Sequence, residues 1–352
     1  MAGIKDVADK AGLSVATVSR ALSGKSNVSA KSRKLALEAA GELGFVPSYH
    51  ASSLASGRNH NVGLVVPSIH RWYFSSVLEG VSATLLDAGY DLTLYNVGDQ
   101  PERRQSVLND FLLRKRLDAV IAVALVLSDD EIQQLLAVHR PIVGIGGTLP
   151  GASTIRIDDE RLARKATDHL IRLGHTRIAH VTGDAAMNQD FKLPGIRQAG
   201  YQQAMHMAGL EIRPEWQTTA DFTVHGAYIA ARQLLGAAAE RPTAVFAASD
   251  EMAVGTILAA RDFGLQVPRD LSVVGMDGHE LGETFGLTTV DQDPRGQGAL
   301  AARTALRLLG PRSGSDDALA APEADLEFRT NFVIRTSTAV PPDEPGRRRP
   351  ST

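Results

Sequence analysis

The sequence contains no cysteine among its 352 residues, which excludes disulfides and thiolate metal sites and leaves the redox compartment open. It also lacks long apolar runs, none of which approaches the ~20 residues of a membrane span. The N-terminal "MAGIKDVADKAGLS" carries acids and has no apolar signal-peptide stretch. A cytoplasmic protein without a membrane partner is the expectation. Catalytic signatures are missing as well. There is no G-x-S-x-G elbow and no H-E-x-x-H, and "GIGGTL" breaks the dinucleotide pattern G-x-G-x-x-G. His169, His175 and His180 are scattered over a helix, its end and the next strand, which suits structural roles better than metal ligation. No repeat occurs at solenoid periods. The expectation is a protein that is not an enzyme and uses no cofactor or metal.

What is present is ordinary in amount and uneven in distribution. Hydrophobic residues make up 43% and charged residues 22%, a globular balance, and the length suffices for two or three domains. The net charge is −3, yet residues 1–60 hold eight Lys/Arg against four acids, +4, which leaves −7 for the rest. A basic N-terminal module on an acidic body suggests a nucleic-acid partner for the small part.

The spacing of apolar residues supports that division. Ile4, Val7, Ala8 and Ala11 fall on one helix face. Gly12-Leu13-Ser14 reads as a turn ending in a cap, Val15, Val18 and Leu22 as a second stripe, and Gly24 as its stop. Ser29 can cap a third helix, "AKSRKLALEAAGELG", closed by Gly44. Pro47 ends the module. "SYHASSLASG" (48–57) could form a helix of about two turns, too short to stand alone in water. From about residue 61 apolar runs alternate with helical segments: "NVGLVVP", "YDLTLYN", "LDAVIAV", "PIVGIG", "RIAHVTG", "TAVFAAS" and "LSVVGMDG". That alternation predicts parallel sheets with helices on both faces, and too many strands for one small sheet. The acidic stretch at Asp158-Asp159-Glu160 marks a candidate crossing between two halves, and residues 310–324 read as a loop. The tail "PPDEPGRRRPST" reads as disordered and has no leucine heptad for a coiled coil.

One stretch, "GLSVATVSRALSGKSN" (12–27), decides the function class. Its Gly-Lys-Ser resembles the end of a phosphate loop, but such a loop needs glycine where Ser19 stands and a strand where a helix precedes. Two short helices joined by a turn instead make a helix-turn-helix, whose second helix enters the major groove. Ala8, Gly12 and Val18 supply the small crossing residue, the permissive turn and the apolar anchor.

"IKDVADKAGLSVATVSRALSGKSNVS" resembles the DNA-binding headpiece of the LacI/GalR family of bacterial transcriptional regulators. "LGFVPSYHASSLASGR" resembles the family's hinge, and the βα body resembles its effector-binding core of periplasmic-binding-protein type. The resemblance implies an α/β fold. An N-terminal helix-turn-helix headpiece (1–47) and a hinge helix with linker (48–60) precede a two-lobed core of parallel sheets flanked by helices (61–340). The first lobe would take about 61–160 and 293–326, the second about 161–292 and 327–340, with a disordered tail at 341–352.

The same resemblance assigns roles to particular residues. Val15 and Ala16 would face base edges, and Arg20 could reach a guanine bidentately. Val15 could instead belong wholly to the core stripe; its place at the helix start favours the groove. Ser14, Ser19 and Ser29 suit phosphate contacts, although Ser14 and Ser29 could be helix caps only. Leu54 would wedge into a central base step of the minor groove, paired with its copy from a second subunit. In the core, Phe74, Arg197, Phe222, Ser249, Asp277 and Gln292 would line a cleft for a small, sugar-like effector. Gly146, Ser249 and Gly278 depart from the family's larger polar groups. The resemblance thus implies a homodimeric repressor on a palindromic DNA operator, with the effector either releasing the DNA or acting as corepressor; the alternative is a cleft that no longer binds ligand. A secreted sugar-binding protein would share the core but lack the first 57 residues.

Overall fold

The computed structural model describes residues 2–22, 27–45, 58–98, 100–112, 116–125, 127–137, 139–147, 149–184, 193–237, 240–310 and 325–342. Two compact units divide the chain, residues 1–60 and the body that starts at Asn61. The hinge helix, Leu54, the stop at Gly24 and the tail from residue 343 lie outside the described residues.

Three helices form the first unit: α1 (Ile4–Ala11), α2 (Val15–Leu22) and α3 (Ala30–Glu42). Their ends are fixed by local bonds that the sequence spells out. The Asp6 carboxylate accepts from the Gly3 N–H at 2.7 Å, and the hydroxyls of Ser14 and Ser29 accept from the Thr17 and Ser32 N–H groups, each at 3.1 Å. At the end of α3 the Phe45 N–H reaches Ala40 O (2.9 Å) and the Gly44 N–H reaches Gly41 O (3.2 Å), the paired bonds of a Schellman turn. The core is small-sided: Val7, Ala8, Val18, Ala21, Ala36, Ala39 and Ala40 are buried together. One expectation is corrected here. Val15 is 40% exposed, and the buried stripe of α2 falls on Val18 and Ala21 with Leu22 half-buried. As the first helical residue, Val15 has its Cα–Cβ bond tilted back towards the helix start, beyond the turns that pack in the core.

The body holds two sheets of six strands each among the described residues. The first comprises β1 (Asn61–Val66), β2 (Asp91–Asn96), β3 (Ala119–Val123), β4 (Ile142–Ile145), β5 (Ser153–Arg156) and β11 (Leu326–Glu327), ordered β11-β5-β4-β3-β1-β2 and wholly parallel. The second comprises β6 (Ile178–Gly183), β7 (Gln217–Ala220), β8 (Ala244–Ala247), β9 (Ser272–Asp277), β10 (Thr288–Asp291) and β12 (Asn331–Val333), ordered β12-β10-β9-β8-β6-β7. Only β12 runs antiparallel to its neighbour among these described strands. Strands β1, β3 and β8 are buried on both faces, which is why they read as unbroken apolar runs.

The flanking helices are α4 (Trp72–Asp87), α5 (Pro101–Ser106), α6 (Asp129–Leu136), α7 (Asp159–Arg172), α8 (Leu193–Met207), α9 (Val224–Ala237), α10 (Asp250–Asp262), α11 (Leu281–Thr284) and α12 (Pro294–Leu308). Helices α4 and α12 pack together on the first sheet, while α7 packs with α8, and α9 with α10, on the second. The chain therefore passes between sheets after β5, after β10 and after β11. Asp158 caps α7 at the first of these passages, accepting from the Arg161 N–H at 3.0 Å. Each sheet changes direction about its first strand, β1 or β6, so residues after the strand ends gather beside that point.

Candidate DNA-reading surface and interlobe cleft

Ser14, which caps α2, and Val15, Ala16, Ser19 and Arg20 on it are all exposed, whereas Val18 and Ala21 hold the opposite side in the core. Positions 15, 16, 19 and 20 repeat at helical spacing and form one continuous stripe. Ser29 is exposed at the start of α3. The two capping serines are already occupied: Ser14 Oγ lies 2.8 Å from Thr17 Oγ1, and Ser29 Oγ lies 2.9 Å from Ser32 Oγ.

In the body, three of the six cleft residues meet directly. Asp277 ends β9, and its Oδ1 accepts from Gln292 Nε2 at 2.6 Å and lies 3.8 Å from Arg197 Nη1. Arg197, on α8, is 3% exposed and places Nε and Nη2 at 2.9 and 2.8 Å from Asp159 Oδ1. Its Nη1 also donates to the carbonyl of Ala248, directly before Ser249. Ser249 itself is buried and turned away, since its hydroxyl accepts from the Met252 N–H at 3.1 Å and caps α10. Phe222 follows β7 with φ 61, and its ring covers Gly183, where a Cβ would meet Phe222 Cε2 at 2.0 Å. Phe74, at the start of α4, packs on the first sheet's core and meets Tyr73 edge-on at 5.4 Å.

Several residues not anticipated from the sequence complete this region. The Tyr73 hydroxyl donates to Gln297 Oε1 at 3.1 Å, and Gln297 Nε2 donates to Gln292 O at 2.7 Å. Trp72 stacks on His279 with centroids 4.4 Å apart and planes at 23°. Asp250 accepts from the Gly278 and His279 N–H groups (2.9 and 2.7 Å) and from Thr289 Oγ1 (2.6 Å). The sequence held a signal for Asp159, which lay in the acidic crossing, and for Tyr73 and Trp72, which lay beside Phe74 in "RWYFSS".

Charge is concentrated and poorly solvated here. Burial pushes the Asp277 carboxyl upwards, against the pull of Arg197 and with the push of Asp250. Burial also raises Glu251 to about 7, helped by the charges of Asp277 and Asp221 and opposed by Arg71. Desolvation lowers the Arg197 guanidinium, but Asp159 and Asp277 more than restore it. Desolvation raises Asp159 while Arg197 pulls it back. The short contacts to one shared oxygen favour the ionised pair. Burial and the charges of Asp159 and Asp277 keep the Tyr73 hydroxyl protonated.

The two glycine departures have backbone causes. Gly146, after β4, has φ 75, and Gly278 has φ 83 with Asp291 Oδ1 only 2.3 Å from where a Cβ would stand. A larger polar residue at either place would be strained. The histidines are engaged by neighbours: His169 Nε2 lies 3.0 Å from Thr338 Oγ1, His175 Nδ1 2.9 Å from Thr243 Oγ1, and His180 Nδ1 2.9 Å from Phe246 O. Among the described residues no group of three or more His, Cys, Asp or Glu is placed to hold a metal, and no helix is long and apolar enough to cross a membrane.

Residues 3–48 match the family profile described as bacterial regulatory proteins, lacI family, and residues 167–338 match a periplasmic binding protein-like domain. The catabolite control protein A of Priestia megaterium is 31% identical over 333 residues, covering 93% of this chain and 98% of that protein. The chain belongs to the LacI family. The regulator is also 36% identical over 299 residues to the HTH-type transcriptional repressor PurR of Erwinia tasmaniensis, covering 83% of this chain and 86% of the relative. Its fold is shared with a lac repressor dimer bound to operator and the anti-inducer ONPF (TM-score 0.81, 25% identity, 96% and 99% of the two chains). A complex of the transcriptional regulator CelR with cellobiose superposes with a TM-score of 0.68 at 29% identity, over 96% of this chain and 100% of that one. The regulator is thus a DNA-binding transcription regulator, not an enzyme, with a headpiece and a two-lobed periplasmic-binding-protein-like body, and PurR and the lac repressor among its relatives are repressors.

Proposed function

We propose that the regulator is a cytoplasmic repressor that binds a palindromic operator as a homodimer and is controlled by a small, sugar-like effector in the interlobe cleft. The observation that carries the DNA half is the exposed stripe Val15, Ala16, Ser19 and Arg20 on a helix whose other side is the headpiece core. Arg20 reads a base edge through its guanidinium, Val15 and Ala16 admit close approach or a thymine methyl, and Ser14, Ser19 and Ser29 meet phosphates. Ser14 and Ser29 do so while capping their helices. Leu54, from each subunit, wedges into the central step.

The effector half rests on the buried meeting of Arg197, Asp277 and Gln292. Asp277 offers an acceptor for ligand hydroxyls, Arg197 is held ready by Asp159, and Phe222 and Phe74 supply ring faces from the two lobes. Ser249 contributes through its position rather than its hydroxyl. The complex of CelR with cellobiose supports the sugar-like class. Ligand binding would change the lobe angle and with it operator affinity, by the ~1–3 kcal/mol usual for allosteric coupling.

Selection of bound sequences from random duplex DNA, with sedimentation of the protein alone, tests this reading. A two-fold symmetric motif and a dimer are expected. An asymmetric motif, no enrichment, or a monomer would overturn it.

A further inference from the structure

The lobes touch through a contact that the effector reading does not use. Trp72 opens α4 on the first sheet, and His279 follows β9 of the second, yet their rings stack at 4.4 Å. We infer that Trp72 and His279 form a latch across the cleft, one ring from each lobe, which sets how readily the lobes close and so how the effector acts on DNA binding. This rests on the cleft being the effector site.

Three observations support the assignment. First, the indole is not committed to its own lobe: Tyr73 and Phe74 pack on the first sheet's core, whereas the half-buried Trp72 is not among the residues that do. A large ring at the rim of one lobe gains most by covering a surface on the other. Second, His279 is set in place before any partner arrives. Its N–H donates to Asp250 Oδ2 at 2.7 Å, and its Nδ1 accepts from the Leu281 N–H at 3.0 Å, which fixes the ring plane and leaves the proton on Nε2. Third, the residue beside Trp72 reinforces the contact. The charge of the Arg71 guanidinium pulls on the carboxylates of Asp221, which Thr223 also holds down, and of Glu251, which burial keeps raised, an attraction across the same edge. Its Nη1 is buried without a hydrogen-bond partner.

A stacked pair of this kind, when broken, shifts a closing equilibrium about two- to tenfold. The chain has two tryptophans, and Trp216 is 2% exposed, so the emission lost in W72F reports Trp72. In the full-length protein, acrylamide quenching of that component should at least double in H279A and stay near the wild-type value in H279F, which keeps a ring to stack on. Affinity for the palindromic duplex recovered by selection should change two- to tenfold, in one direction, for both W72A and H279A, with H279F restoring it. Quenching that H279A leaves unaltered would overturn the latch. Altered quenching with unaltered duplex affinity would overturn its coupling to DNA and leave the regulator reading standing. A wild-type protein that selects no duplex would overturn both.

Discussion

Arg197 and Asp159 are tied together inside the body, two guanidinium nitrogens on one carboxylate oxygen at 2.9 and 2.8 Å. The pair joins α8 to the first turn of α7, which begins directly after the chain has passed from the first sheet to the second. The Arg197 side chain is 4% exposed and that of Asp159 18%, so neither charge is well hydrated. The arginine proposed to meet the effector is thereby held in one rotamer before any ligand arrives.

Removing one partner of such a pair leaves the other charge buried alone. Asp159→Ala should cost about 3 kcal/mol of stability, read from urea unfolding. Adding Arg197→Met should recover most of that loss, because no bare guanidinium is left. A double variant as unstable as the single one would show that Asp159 acts by some route other than pairing.

His180 gives the body an acid-sensitive point. It is fully buried between the rings of Tyr201 and Phe246, at 4.9 and 4.8 Å, and burial lowers its pKa from 6.5 to about 4. With the folded value below the unfolded one, the folded state refuses the proton first. The stabilisation is complete above pH 6.5 and is lost as pH falls through about 4, with ~3 kcal/mol at stake. Burial raises Asp277 and Glu251, so these acids act in the opposite sense. Comparison with His180→Phe isolates the histidine: the stability difference between wild type and variant should shrink by that amount from pH 7 to pH 4. A difference that stays flat would place the group at its ordinary value.

Arg20 and Ser29 should separate specificity from grip. Arg20→Ala should relax base preference at one symmetric pair of positions, by ~1–3 kcal/mol per contact. Ser29→Ala should weaken all sequences alike and cost about 1 kcal/mol of headpiece stability through the lost cap. Selection of binding sites with each variant reads both. An Arg20→Ala motif identical to the wild type would remove this side chain from base reading.

Gly278 tests why the strand end carries no second acid. Gly278→Ala forces a side chain onto φ 83 and against Asp291 Oδ1. A loss of about 2 kcal/mol is expected, seen as a lower melting temperature. An unchanged melting curve would mean that the backbone relaxes there at no cost.

The parts legible in the sequence are those set by neighbours along the chain. Ser14 and Ser29 announce their caps, Gly12 its turn, and the doubly buried strands their apolar runs, because each depends on a few adjacent residues. Short strands rich in Thr, such as β7 and β10, were not legible, since pairing within a sheet rather than composition makes them strands. Asp277 could be placed at a strand end, and Arg197 on its helix, by the family resemblance. Their partners could not: Asp159 lies 38 residues before Arg197, and His279 meets Trp72 only when the two sheets face each other. Val15 shows the limit of periodicity, which cannot tell a stripe's last buried residue from its first exposed one.

The central claim is that the cleft around Asp277 controls DNA binding by the headpiece. The most direct measurement is operator affinity, by fluorescence anisotropy of the selected duplex, with monosaccharides, disaccharides and sugar phosphates added in turn to wild type and to Asp277→Ala. The account predicts that one compound class shifts wild-type affinity about 5- to 150-fold and leaves Asp277→Ala unmoved, while both proteins bind the bare duplex equally. A shift that Asp277→Ala retains in full would contradict it.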